Sequence, residues 1–206
     1  NQLAVFLDST GRAYALHAHT LPSARGQGEP LTGRIDAPDG ATFEGLLVGN
    51  AEDLYLLATD AGCGFVASFE ELAGRNRSGK AVLTVPEGAR VLPPVRVRDF
   101  DRDLVAAVTT AGRLLVHPVS ELPRLSKGKG VKIIGIAPAA LASREEYVRA
   151  LTVLCADGQL KVSAGKRELT LRPSDWEPYR LGRARKGQKL PRGFQRVDAM
   201  LAVEPG

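Results

Sequence analysis

Basic residues set beside glycines are the chemistry this chain offers most often. In Leu21-Pro-Ser-Ala-Arg-Gly-Gln-Gly-Glu-Pro-Leu-Thr-Gly-Arg34, Gly26 and Gly28 lie between Pro22 and Pro30, with Arg25 and Arg34 alongside. The prolines fix φ and limit the loop, and glycine lets the backbone come close to a ligand. Unpaired N–H groups beside a guanidinium form a seat for an anion. Related stretches follow at Arg75-Asn-Arg-Ser-Gly-Lys80, Lys127-Gly-Lys-Gly130 and Arg183-Ala-Arg-Lys-Gly-Gln-Lys189, and neither these three nor Arg25–Gly28 contains an acid.

Other chemistries fail on specific residues. Gly74–Lys80 fits the G-x-x-x-x-G-K of a phosphate loop, but Ala81 stands where Ser or Thr would bind Mg²⁺. Gly26-Gln-Gly28 lacks the third glycine of a dinucleotide fingerprint, because Leu31 occupies that place. Asp99-Phe-Asp-Arg-Asp103 opens like a calcium loop, yet Leu104 replaces its glycine and Thr110 its bidentate glutamate. Cys63 and Cys155 form no C-x-x-C pair and read as free thiols in a reducing compartment. His17, His19 and His117 have no metal-ligand spacing, and no Ser-His-Asp or Cys-His arrangement has local support. No cofactor, metal or catalytic residue is expected within this chain.

The basic loops are placed by a repeat. Aligned on Gly11, Gly62, Gly112 and Gly158, the copies are separated by 51, 50 and 46 residues. A leucine stands ten residues after each of the first three glycines, at Leu21, Leu72 and Leu122, and a basic loop follows it. In the fourth copy Leu181 is matched instead, 23 residues after Gly158, which implies a 13-residue insertion around Lys166–Trp176. A second anchor trails the loop: Asp36-Ala-Pro-Asp-Gly-Ala41, Thr84-Val-Pro-Glu-Gly-Ala89 and, in part, Ile136-Ala-Pro138. If copies stack about an axis, equivalent loops share a rim and their charge forms a belt. A like-charged belt repels itself and calls for a polyanion.

A period near 50 residues indicates a propeller or solenoid. Leu3–Leu7 and Ala13–His17 flank a Ser-Thr-Gly turn as a hairpin. Leu31–Ile35 and Ala41–Val48 are two more predicted strands, and four strands suit a propeller blade. The apolar runs Leu54–Ala58, Leu104–Val108 and Leu151–Cys155 suit strands buried on both faces. Helix is predicted only at Ser143-x-x-Glu146 and Ser174-x-x-Glu177. The expected fold is one all-β domain over 1–206, with blades at 3–53, 54–103, 104–150 and 151–206. Hydrophobic residues make up 44% and the net charge is +5, which fits a packed domain with basic loops and no bilayer-length apolar run. Asn1 stands just before a repeat strand, so further chain is expected upstream.

Leu21–Arg34, Arg75–Lys80 and Leu122-Pro-Arg-Leu-Ser-Lys-Gly-Lys-Gly-Val-Lys132 resemble the C-terminal domain of the A-type chain in bacterial DNA topoisomerase IV, of the gyrase A-like family. So do Val5-Phe-Leu-Asp-Ser-Thr-Gly-Arg12 and Asp60-Ala-Gly-Cys-Gly-Phe-Val66, and the likeness runs from about Asn1 to Val203. The resemblance implies a β-pinwheel, a propeller whose blades exchange strands, with duplex DNA on a basic perimeter. It implies a cytoplasmic, nucleoid-associated parent with an upstream catalytic region and an ATPase subunit, which passes one duplex through another using ATP and Mg²⁺ bound elsewhere. The family usually has five or six blades, against four copies here, and no loop matches the gyrase box Gln-Arg-Arg-Gly-Gly-Lys-Gly. Type IIA cleavage needs an Arg-Tyr pair, whereas Ala13, Leu54, Glu146 and Pro178 precede Tyr14, Tyr55, Tyr147 and Tyr179.

The resulting expectation is an accessory DNA-binding domain without catalytic residues. Arg25, Arg75, Arg77, Lys80, Lys127, Lys129, Lys132, Arg183, Arg185, Lys186, Lys189 and Arg192 are expected to contact phosphates. Gly26, Gly28, Gly79, Gly128, Gly130 and Gly187 are expected to let the backbone approach. Two alternatives are an interaction propeller that binds acidic partners or a condensin through Lys166–Trp176, and an independent enzyme.

Overall fold

The computed structural model describes residues 2–21, 28, 30–74 and 76–205. Each copy opens with an antiparallel hairpin. The first copy has β1 (Leu3–Asp8), β2 (Arg12–His17) and β3 (Phe43–Val48). The second has β4 (Leu54–Ala58), β5 (Cys63–Ser68), α1 (Phe69–Leu72), β6 (Lys80–Ala81) and β7 (Val95–Val97). The third has β8 (Leu104–Thr109), β9 (Arg113–Pro118), β10 (Val131–Lys132), α2 (Pro138–Ala142) and β11 (Val148–Leu154). The fourth has β12 (Gln159–Ala164), β13 (Arg167–Leu171), α3 (Pro173–Trp176), β14 (Gln188–Lys189) and β15 (Ala199–Val203).

The sheets cut across these copies. Their strand orders are β3-β1-β2-β6, β10-β5-β4-β7, β11-β8-β9-β14 and β13-β12-β15. The two-residue strands β6, β10 and β14 thus leave their own copy and complete the sheet of the copy before. This is the all-β, strand-exchanging architecture the resemblance implies. At the opposite edges, β11 lies against both β7 and β15. The exchanged strands are therefore turned away from the side where the other edges gather.

Alternation along the hairpin strands of the second and third copies divides them between two cores. Tyr55 and Leu57 of β4 join Val5, Leu7 and Phe65 between the first two sheets. Leu56 and Ala58 face the other way, with Val105, Ala107 and Leu115. Leu104, Ala106 and Val108 then pack on Leu160, Val162 and Trp176 of the fourth copy. A strand buried on both faces reads as an unbroken apolar run, because each face needs its own hydrophobic set.

Several expectations are corrected. The fourth hairpin turns at Gly165 (φ +62), while Gly158 has no positive φ and sits in the link from the third sheet to the fourth. Its carbonyl accepts the Trp176 Nε1–H at 3.0 Å. Measured from Gly165, the last interval is 53 residues and Trp176 falls eleven residues on, buried as Leu72 and Leu122 are. There is no insertion at Lys166–Trp176; these residues are β13 and α3 of the repeat itself. The run at Leu151 belongs to β11, which pairs with β8, so the third sheet reaches past the expected division at 150/151. Leu31–Gly33 is a 3-10 turn, not a strand, held by Arg34 N–H donating to Leu31 O at 2.9 Å. Among the described residues no earlier sheet offers it a ladder. Ser143 follows α2 rather than opening a helix, and α3 starts at Pro173, with the Arg172 N–H donating to Asp175 at 2.9 Å. The capping box is at Ser68 and Glu71, bonded at 3.0 and 3.3 Å.

Candidate nucleic-acid interface

The basic loops of copies two, three and four each run into an exchanged strand, so the preceding copy fixes where their charge stands. The residue after the exchanged strand donates its N–H to the carbonyl of a hairpin-turn glycine. Val82 donates to Gly11 O at 3.0 Å, Ile133 to Gly62 O at 2.7 Å and Leu190 to Gly112 O at 2.9 Å. The side chains of Val82, Ile133 and Leu190 are buried. Burial of roughly 1.5–3 kcal/mol of apolar side chain at each site anchors the loop beside it.

Successive loops are also laced to one another. Arg77 O accepts from Asp36 N at 2.9 Å. Gly128 donates to Val82 O at 3.0 Å and accepts from Thr84 N at 2.9 Å. Ala184 donates to Ile133 O at 3.1 Å, and Arg185 O accepts from Gly135 N at 2.9 Å. The loops of copies two, three and four thus form one continuous backbone seam along the exchanged edge.

Side chains on this seam divide into two groups. Lys127, Lys129, Lys132, Arg185, Lys186, Lys189 and Arg192 are exposed and make no ion pair among the described residues. The others have internal partners. Lys80 Nζ donates to Glu71 O at 2.8 Å and Arg183 Nη1 to Lys132 O at 2.8 Å. Arg77 faces Asp36 at 3.7 Å, but with both side chains about two-thirds exposed this pair is weak. Arg25, Gly26 and Arg75 lie outside the described residues.

Three of the loop glycines pack against the neighbouring sheet. A Cβ on Gly79 would stand 2.6 Å from Ala13 O, and one on Gly187 2.7 Å from Leu114 O. Gly130 meets Gly64 O in the same register. Each acceptor lies two residues after its turn glycine, at Gly11, Gly112 and Gly62. These three glycines admit the exchanged strand to its sheet. Gly28 and Gly128 have open space where a Cβ would go.

Sequence reasoning missed Arg12, whose guanidinium reaches into the second copy's loop and donates to Ser78 O at 2.7 and 2.9 Å. Its position directly after the turn glycine, shared with Arg113, is the signal that marks it. His117 is fully buried on β9, with Nδ1 3.0 Å from Pro118 O. Desolvation holds its pKa below the ordinary 6.5, against the smaller upward pull of Pro118 and Glu121. Cys63 and Cys155 are free thiols, and burial raises the Cys155 pKa. Among the described residues no cluster of three metal-ligating side chains occurs, and no helix is long and apolar enough to cross a membrane.

The same architecture recurs in known proteins. The model of the DNA gyrase C-terminal domain, a β-propeller, matches residues 53–97 and 103–154. The solved Escherichia coli ParC C-terminal domain superposes with a TM-score of 0.91 at 48% identity, covering 100% of this chain and 82% of that one. The chain belongs to the gyrase A-like family of topoisomerase IV C-terminal domains. The A-type chain of DNA topoisomerase 4 from Pseudomonas aeruginosa is 56% identical over the whole chain, and that of Escherichia coli K12 is 50% identical. The chain spans 27% of the length of each of these two relatives. Another solved topoisomerase IV C-terminal domain shares the fold at a TM-score of 0.80 and 15% identity, over 98% of this chain and 64% of that one.

Proposed function

We propose that this domain holds duplex DNA along its exchanged-strand edge and presents it to the strand-passing core of a type IIA topoisomerase. The observation that carries this reading is the laced seam with its exposed, unpaired lysines and arginines. Such a surface offers cations at fixed spacing to a phosphate backbone and few groups suited to base edges. ATP, Mg²⁺, the catalytic region and the ATPase subunit belong to the parent enzyme in this reading, which acts in the cytoplasm on the nucleoid.

Charge is spread along the seam and not massed in one loop. Bending a 20–30 bp segment by 40–90° costs on the order of 1–6 kcal/mol, which distributed contacts can offset. The domain bends a duplex without constraining strong positive supercoils, as suits decatenation and relaxation. Duplex titration at varied salt is the test. Neutralising roughly 5–7 phosphates gives a log–log slope of about −5 to −6, nearly the same for unrelated sequences. A flat salt response removes the proposal and leaves the interaction-propeller reading, with an acidic protein or condensin as partner.

A further inference from the structure

We infer that Arg12 is a positioning residue for the second basic loop and not a phosphate contact; the inference rests on the DNA-binding function proposed above. Arg12 is basic, only partly buried and adjacent to the seam, so charge alone would count it among the DNA-binding side chains. Its geometry assigns it elsewhere. Nε donates to Ser78 O at 2.9 Å, while Nη2 donates to Ser78 O at 2.7 Å and to Gly79 O at 3.1 Å. The guanidinium belongs to β2 of the first copy and both carbonyls to the loop of the second. The fork therefore fastens one copy's loop to the other copy's sheet.

Two features make this more than an incidental contact. Carbonyl oxygens carry partial negative charge, and two of them on a phosphate-binding edge oppose an incoming backbone. Arg12 caps both. The loop is also gripped from its other flank, where Lys80 Nζ is bonded to Glu71 O at 2.8 Å. Between these grips Arg77 stays about two-thirds exposed. A planar guanidinium spans two neighbouring carbonyls in a fixed fork, which a lysine ammonium does not reproduce.

The experiment compares Arg12→Ala and Arg12→Lys with Lys129→Ala in the 206-residue chain. It measures duplex affinity across a salt series and hydrogen exchange of the amides from Asn76 to Ala81 without DNA. Both Arg12 variants are expected to lose affinity by roughly five- to tenfold, the scale of one ordinary net hydrogen bond. Their salt slope stays at the wild-type value, and exchange quickens at Asn76–Ala81. Lys129→Ala, by contrast, reduces the slope by about one and leaves exchange unchanged. Rescue of affinity by Arg12→Lys, together with a slope loss in Arg12→Ala, marks a direct phosphate contact and overturns the inference. Unchanged exchange in Arg12→Ala overturns the anchoring itself. Absence of duplex binding by the wild-type chain sinks the proposed function instead, while the exchange result still decides whether Arg12 anchors the loop.

Discussion

Gly130 lies against the carbonyl of Gly64, with φ at +79, where the third copy's exchanged strand enters the second sheet. No side chain fits between them. Gly130→Ala adds backbone strain to a collision with main chain, and its expected cost is roughly 2–4 kcal/mol. Gly182 has open space where a Cβ would go and no positive φ, so Gly182→Ala is expected to stay within about 0.5 kcal/mol of wild type. Urea unfolding followed by circular dichroism separates the two. Equal stability of both variants would show that Gly130 serves the ligand surface and not the sheet.

Lys129 and Lys80 both belong to basic loops, but only Lys129 is free of internal partners. Lys129→Ala is expected to weaken all duplexes alike and to lower the salt slope by about one, with the melting temperature unchanged. Lys80→Ala is expected to change the slope less and to loosen the loop beside α1, because its ammonium already holds Glu71 O. A larger slope change from Lys80→Ala would reverse these roles.

Asp60 and Arg144 join the turn of the second hairpin to the segment before β11. Two guanidinium nitrogens donate to the two carboxylate oxygens at 2.9 and 2.8 Å, and Arg90 N donates to the same carboxylate at 2.9 Å. The guanidinium also stacks 3.9 Å from the Tyr147 ring centroid. Asp60 is buried while Arg144 is part-exposed, so Arg144→Ala is expected to cost roughly 2–4 kcal/mol, somewhat below a fully buried pair. A double-mutant cycle with Asp60→Asn measures the coupling. Additive single effects would show that the pair contributes no specific energy.

His117 supplies a pH dependence whose sign follows from its depressed pKa. The unfolded chain binds the proton more readily than the folded one, so the contribution is complete above about pH 6.5 and falls away as pH drops toward the folded pKa. Glu121 pulls the ring's pKa up and Arg183 pushes it down, and burial outweighs the upward pull. Thermal melts from about pH 8 to 5 should show stability declining below 6.5. His117→Gln should flatten that part of the profile. An unchanged profile in the variant would place the titration elsewhere.

The repeat, the all-β class and the recurrence of basic loops could be read directly from residue types and spacing. Turn glycines, apolar alternation and leucines at fixed offsets are local features, and strands such as β4 and β8 carry their pattern within six residues. Pairing across copies is not local. A two-residue strand like Val131–Lys132 has no periodicity of its own, so its place beside Gly64 and Cys63 follows only from the approach of two distant segments. The same limit hid the role of Gly79, Gly130 and Gly187, because a glycine that admits a neighbouring strand looks identical in sequence to one that admits a ligand. It also hid the true fourth turn. Gly158 and Gly165 are equally plausible hairpin glycines on the page, and pairing of β11 with β8 and of β12 with β13 decides for Gly165. Residue types alone specify which charges the chain carries and how often they recur. Only the folded arrangement settles which of them remain free for a partner, because hydrogen bonds to Glu71, Lys132, Ser78 and Gly79 occupy some cations and leave others exposed.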